Sequence, residues 1–227
     1  IANAFWNHRM FLLHGHAKYI DVLERILYNG LLSGISIEGD RFFYPNPLRS
    51  FGQHERSPWF GCACCPSNIA RFMPSFPGYI YALKDDALYV NLYVQGEAKI
   101  KLSFGELRIQ QQTEYPWDGQ IDIIVNPPKP ASFDILIRIP GWARNQPVPS
   151  DLYSYLGQKK EKAIVKVNTK ITLFTLDKGY ARLSRRWTSG DKIEITFPMP
   201  LRRVISHPLV ITHRGRVAFE RGPVVYC

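Results

Sequence analysis

The 227-residue chain has no uninterrupted run of about 18 apolar residues, the least a helix needs to cross a bilayer, so no membrane span is expected. It shows no secretory leader with a charged start and an apolar centre. It also opens on Ile1 rather than Met, inside a helical pattern. The natural N-terminus is therefore expected upstream, and the missing leader says nothing about export. No internal repeat or low-complexity tract is present. Cysteine is scarce, at 4 residues, and three of these crowd together. That is not a disulfide framework and favours a reducing compartment such as the cytoplasm. No second Cys/His pair stands at the spacing of a zinc finger. Acidic residues are outnumbered, 19 against 29 basic, for a net charge of +10. Residues 1–80 hold 7 basic and 5 acidic side chains, and the remainder 22 and 14. The basic residues are scattered over apparent strands with no recognisable nucleic-acid module, which excludes nucleic acid as an expected partner.

What is present is concentrated at Cys62-Ala63-Cys64-Cys65-Pro66. Adjacent thiols are poorly placed to bridge one another. Thiolates this close suit a soft metal, most often zinc, or a reactive nucleophile; the competing reading is burial as small apolar side chains. Pro66 is suited to the first turn of a helix, which would put Cys65 near the N-cap, where the free amides favour a thiolate. A structural zinc site needs about four ligands, and His54 is the nearest further candidate, although a lone histidine is more often a polar surface or pocket residue.

Two patterns divide the chain. Over residues 1–32, Phe5, Trp6, Met10 and Leu13, then Tyr19, Ile20, Leu23, Ile26 and Leu27, recur at helical spacing. Gly15 separates two helices, with Asp21, Glu24 and Arg25 on the polar side of the second. Residues 33–61 are rich in turn formers around a short strand at 41–44, and a loop this long is commonly functional. Pro66 to Phe72 reads as a short helix ending before Pro74. From about Gly78 the chain becomes a series of short β-branched and aromatic runs: 79–83, 87–94, 98–104, 120–125, 133–139, 164–167, 171–173, 180–184, 192–197, 209–212 and 217–219. These predict an antiparallel β-sandwich. Residues 145–162 read as an inserted surface loop. Trp117, Trp142 and Trp187 stand beside turns, placed either to cover the ends of the core or to stack on sugar.

Several ordered segments carry a resemblance. They are Phe5-Trp6-Asn7-His8-Arg9-Met10, Tyr19-Ile20-Asp21-Val22-Leu23-Glu24-Arg25, Tyr28-Asn29-Gly30, Phe42-Phe43-Tyr44-Pro45-Asn46-Pro47-Leu48 and Trp59 through Arg71. Together these resemble the C-terminal part of the catalytic domain of glycoside hydrolase family 127, whose founding activity is β-L-arabinofuranosidase. Arg138-Ile139-Pro140-Gly141-Trp142-Ala143, Gly179-Tyr180, Gly190-Asp191 and Arg221-Gly222-Pro223-Val224-Val225-Tyr226 resemble the β-sandwich that follows it. The resemblance implies an α + β multidomain fragment. Residues 1–80 would be the terminal helices of an (α/α)6 barrel, and residues 81–227 an antiparallel β-sandwich of jelly-roll type.

It further implies retaining hydrolysis with zinc as cofactor, a zinc-bound cysteine as nucleophile and a glutamic acid as proton donor. By position, Cys64 resembles the nucleophile and a zinc ligand, and Cys65 a second ligand. Cys62 resembles a nearby cysteine that is not a ligand. Tyr44 resembles a tyrosine beside the reacting sulfur and sugar; the alternative is an aromatic packed under the loop. The remaining ligands, a Glu and a Cys within Glu-Thr-Cys-Ala-Ser, and the general acid would all lie upstream of Ile1. These residues alone would then hold half a zinc site and be inactive. The partner implied is an arabinofuranosyl-containing oligosaccharide or glycan, compatible with a homodimer of the full-length protein. Two other classes remain: a noncatalytic carbohydrate-binding or structural sandwich, and a small metal or redox module built on the three cysteines.

Overall fold

A computed structural model of the chain describes residues 1–45, 50–157 and 161–226. Asn46, Pro47 and Leu48 of the aromatic–proline motif, residues 158–160 of the expected surface loop, and Cys227 lie outside the described residues.

Two helices open the chain, α1 (Ala2–His14) and α2 (Ala17–Arg25). The break falls at Gly15, which takes the left-handed conformation (φ 61°) and returns its N–H to Phe11 O at 2.7 Å, closing α1. His16 caps α2, its Nδ1 accepting from the Lys18 amide. The chain continues from α2 as a π-helical turn over Ile26–Leu31 and a 3-10 turn over Leu32–Gly34. On α1 the buried face is Ala4, Asn7 and Phe11; of the expected stripe, Trp6 and Leu13 are exposed. This helix is apolar on more than one side, so periodicity alone could not say which face meets the sheet.

The next helix, α3, spans Cys64–Ser75, longer than expected at both ends. Ala63 is its N-cap, so Cys64 and Cys65 are its first two residues and Pro66 its third. Proline is tolerated there because a first-turn amide has no helical acceptor. Pro74 lies inside the last turn. A four-residue helix α4 (Pro77–Ile80) follows, where the start of a strand was expected.

The strands are β1 (Tyr81–Lys84), β2 (Ala87–Val90), β3 (Gly96–Leu102), β4 (Gly105–Thr113), β5 (Gln120–Asn126), β6 (Ala131–Arg138), β7 (Tyr153–Leu156), β8 (Ile164–Val167), β9 (Lys170–Ile171), β10 (Leu176–Asp177), β11 (Tyr180–Trp187), β12 (Asp191–Thr196), β13 (Arg202–Ser206), β14 (Ala218–Arg221) and β15 (Val224–Tyr226). They form a five-stranded sheet in the order β1-β2-β6-β11-β10, a six-stranded sheet β3-β4-β5-β12-β8-β9, and a four-stranded sheet β15-β14-β13-β7. The pairing is antiparallel except between β2 and β6, which run parallel. Their connection crosses the whole β3–β5 meander, so the expected purely antiparallel pattern fails at this one pair.

The first two sheets pack face to face over Leu88, Val90, Leu107, Ile109, Ile121, Ile123, Ile135, Ile137, Ile193 and Ile195. Burying each such side chain contributes about 1.5–3 kcal/mol. The other face of the five-stranded sheet is covered by the helices: Leu136 and Tyr180 join Phe11, Ile20, Leu23, Leu27 and Phe72. Trp142 and Trp187 are buried in the sandwich, while Trp117 is 65% exposed.

Sequence periodicity missed β4 because its third inward position is Gln111, buried and bonded to Tyr81 Oη at 2.8 Å. It also missed β7 and β13, which pair with each other. The expected loop at 145–162 thus contains a strand. The expected strand at 209–212 is instead a 3-10 turn at Ile211–His213, and 41–44 contributes only the bridging residue Phe42.

Polar side chains of α2 and of the π-helical turn after it join the layers, so this polar side is an interface rather than a solvated face. Arg25 bonds Glu220 Oε1 at 2.8 Å and Pro147 O at 2.6 Å. Asn29 accepts from the Val225 amide at 2.8 Å and donates to Pro223 O at 2.9 Å, bringing two of the resembling segments together. The β10–β11 turn fits between the two opening helices. Lys178 Nζ donates to His14 O at 2.9 Å, and the Ala17 amide donates to Lys178 O at 2.8 Å. Beside it, Gly179 has φ 88°, and a Cβ there would lie 2.6 Å from Ala17 Cβ. Gly179→Ala is expected to cost about 1–3 kcal/mol through strain and overlap. Gly190→Ala, with φ 89° but open space around the site, should cost less, so equal losses in melting temperature would refute the clash.

Candidate active site

The thiols are placed by packing beneath them. Pro66, Ile69 and Phe72 are the buried face of α3. Phe72 meets Phe5 and Tyr79, each with ring centroids 5.6 Å apart, which fixes α3 against α1. Arg71 spans the same junction, its guanidinium 5.3 Å from the Phe5 ring centre and bonded to Asn68 Oδ1 at 2.7 Å. Ser67 Oγ donates to Ala63 O at 2.8 Å, and Asn68 Nδ2 to Cys64 O at 2.9 Å, holding the first turn. Cys64 is thereby left exposed at the helix N-terminus, with Cys65 half-buried beside it and Cys62 exposed just before the helix.

Cys64 Sγ lies 3.8 Å from Cys65 Sγ and 3.3 Å from the Tyr44 hydroxyl. Tyr44 packs on Phe60, with ring centroids 5.3 Å apart, and its carbonyl lies 4.0 Å from Cys65 Sγ. Tyr44 is thus both packed within the loop and in contact with the sulfur. The Tyr44 hydrogen bond holds the Cys64 thiol below its ordinary range, with a further contribution from Cys65. The same bond pushes the Tyr44 hydroxyl up to about 12. Cys65 moves the other way, raised first by burial and then by Cys64. The two adjacent thiols are therefore unequal, and Cys64 is the one favoured as a thiolate.

The pair also has the spacing of two zinc ligands. With zinc–sulfur bonds of about 2.3 Å, two corners of a tetrahedron lie about 3.8 Å apart, the separation of the two sulfurs. Among the described residues no group of three or more His, Cys, Asp or Glu side chains could hold a metal ion. The cysteines therefore fit as two ligands and the described residues supply no set of four. His54 is not a third: its Nε2–H donates to Pro45 O at 2.8 Å and its ring stacks on Phe43. Glu38 and Glu55 are exposed, and Glu24 is buried against Arg138. Trp142 and Trp187, being buried, offer no platform for sugar stacking. Sequence reasoning did not single out Phe43, Arg56 or Phe60 as parts of this site; an aromatic-rich loop was the only available signal.

The chain matches the family model for the GH127 β-L-arabinofuranosidase catalytic domain over residues 1–78. The GH127 middle domain follows over 87–199, and the family 127 C-terminal domain over 201–227. A non-reducing end β-L-arabinofuranosidase of Bifidobacterium longum subsp. longum is 33% identical across 100% of this chain and 34% of its own length. The solved GH127 β-arabinofuranosidase BT3674 is 50% identical with a TM-score of 0.96, covering 99% of this chain and 35% of that one. Ara127N-Se, a GH127 β-L-arabinofuranosidase from Geobacillus stearothermophilus T6, is 38% identical with a TM-score of 0.86, covering 100% and 35%. The chain spans about a third of the length of these relatives. Matched in order by three domain models of a single family, it belongs to glycoside hydrolase family 127.

Proposed function

We propose that this chain is the nucleophile-bearing part of a retaining glycoside hydrolase acting on terminal β-L-arabinofuranosyl units. The observation that carries the reading is Cys64, exposed at a helix N-terminus with its sulfur 3.8 Å from Cys65 and 3.3 Å from the Tyr44 hydroxyl. The names of the relatives supply the sugar class. In this reading residues 1–80 are the closing helices of an (α/α)6 barrel, which would cover the exposed side of α1, and residues 81–227 carry the jelly-roll sandwich that braces them.

Cys64 and Cys65 would hold zinc, with the other ligands and the general acid supplied by the rest of the full-length protein. When bound, zinc keeps coordinating thiols deprotonated. The Cys64 sulfur donates an electron pair to the anomeric carbon while the glycosidic C–O bond breaks, and a carboxylic acid gives its proton to the departing oxygen. A sugar–sulfur bond then joins Cys64 to the substrate. Water attacks the same carbon, its proton goes to the carboxylate, and the sulfur leaves with its electron pair. Two inversions give net retention. Tyr44 orients the sulfur through its hydrogen bond. The full-length protein should release L-arabinose of retained configuration from a β-L-arabinofuranoside, as read by proton NMR of the first-formed sugar. Inverted product, or no release, would reject this reaction.

A further inference from the structure

Tyr44 contributes a hydroxyl bonded to the Cys64 sulfur, and the residues on both sides of it are held. Phe42 makes a two-way backbone bridge with Ser57, each N–H···O 2.9 Å long, and the Phe43 amide donates to Gly34 O at 3.0 Å. The remaining restraint comes from side chains. The Arg56 guanidinium lies 4.4 Å from the Phe43 ring centre and donates through Nη2 to Ser33 O at 2.7 Å and through Nε at 3.3 Å. Ser33 O belongs to the 3-10 turn that ends the α2 segment, a position where a cation is favoured. The His54 ring stacks on Phe43 at 4.6 Å and 14°, and its Nε2–H donates to Pro45 O at 2.8 Å. Residues immediately before and after Tyr44 are therefore tied to one Arg–Phe–His cluster, anchored to the helical segment beneath.

We propose that Arg56 and His54 are positioning residues that hold Tyr44 on the Cys64 sulfur. This rests on the hydrolase reading above. Neither side chain contacts a thiol in the structure, so their effect passes through Tyr44. Arg56 does this with a planar, doubly donating group that also stacks on an aromatic ring, a combination lysine does not reproduce. A displacement of about 1 Å at a reacting centre costs on the order of 100-fold in rate.

The test uses the full-length protein, with kcat and KM measured on a terminal β-L-arabinofuranoside. Arg56→Ala should lower kcat by about 10- to 100-fold with little change in KM, and Arg56→Lys should not rescue it. In a Tyr44→Phe background, Arg56→Ala should add less than about twofold, because the two substitutions remove one and the same effect. Losses that simply multiply would overturn the proposal. A crystal structure of the Arg56→Ala protein supplies a readout independent of turnover: the Tyr44 hydroxyl should be displaced from Cys64, and an unmoved hydroxyl refutes the positioning role. If Arg56→Ala does not fold, His54→Ala removes the second tie while leaving the Arg56–Ser33 bonds, with the same non-multiplying relation to Tyr44→Phe expected. If the parent protein does not hydrolyse the arabinofuranoside, the hydrolase reading falls and the crystallographic arm alone decides the positioning role.

Discussion

Cys64→Ser in the full-length protein is expected to reduce kcat/KM on a β-L-arabinofuranoside by on the order of 10⁴-fold or more, the scale on which enzymes lose activity when their nucleophile is removed. A serine hydroxyl at this position would remain protonated near neutral pH, whereas the Tyr44 hydrogen bond favours the thiolate form of Cys64. The fold should survive, because Cys64 is exposed at the first residue of α3 and contributes no core packing. The melting temperature should therefore stay near that of the parent while turnover falls. Tyr44→Phe keeps the ring on Phe60 and removes only the hydroxyl at 3.3 Å. Its expected loss is smaller, about 10- to 100-fold. Near-parental turnover in Cys64→Ser would leave the thiol without a catalytic role and favour a noncatalytic or purely metal-binding module.

Arg138→Met is expected to give the largest stability loss, about 3–5 kcal/mol. Arg138 is fully buried at the end of β6. It bonds Asp21 Oδ1 at 2.7 Å, both oxygens of Glu24, and Asn91 O. Asp21 also meets Arg144 Nη2 at 2.8 Å, and Tyr115 donates to Glu24 Oε1 at 2.7 Å. This cluster joins α2 to the sheet. Methionine fills comparable volume but leaves the Glu24 carboxylate almost fully buried without its cation, which is the costly half of breaking a buried pair. Replacing both, as Arg138→Met with Glu24→Gln, should recover a substantial part of the loss because no unpaired buried charge remains. Urea unfolding of the full-length protein measures both. A loss below about 1 kcal/mol for Arg138→Met alone, the level of an exposed pair, would show that the cluster is not a structural junction.

Legibility in the sequence followed the locality of each signal. The break at Gly15 was readable because a left-handed residue between two apolar patterns acts within one turn. The strands β5, β6, β8 and β12 were readable because β-branched residues alternate in them. By contrast, β4 carries Gln111 where an apolar side chain would have marked the inward face, and β7 and β13 complete each other across 46 or more residues. The bounds of α3 differ from the expected Pro66–Phe72 because a first-turn proline has no helical amide bond to lose, so Pro66 does not mark the start, while the helix runs one residue past Pro74 despite the i−4 bond that proline cannot make.

The same division runs through the site. By itself the sequence determined that three thiols crowd one short segment, that Cys64 and Cys65 are the pair to watch, and which family's motifs surround them, because each is a property of residues adjacent along the chain. Tertiary structure decided which thiol is favoured as thiolate, since that depends on Tyr44, 20 residues away in sequence and 3.3 Å away in space. It also decided that Asp21 and Glu24 face a buried arginine rather than water. A polar face on a helix records only that the residues seek polar partners. Whether the partner is solvent or Arg138 is settled by what the fold brings against that face.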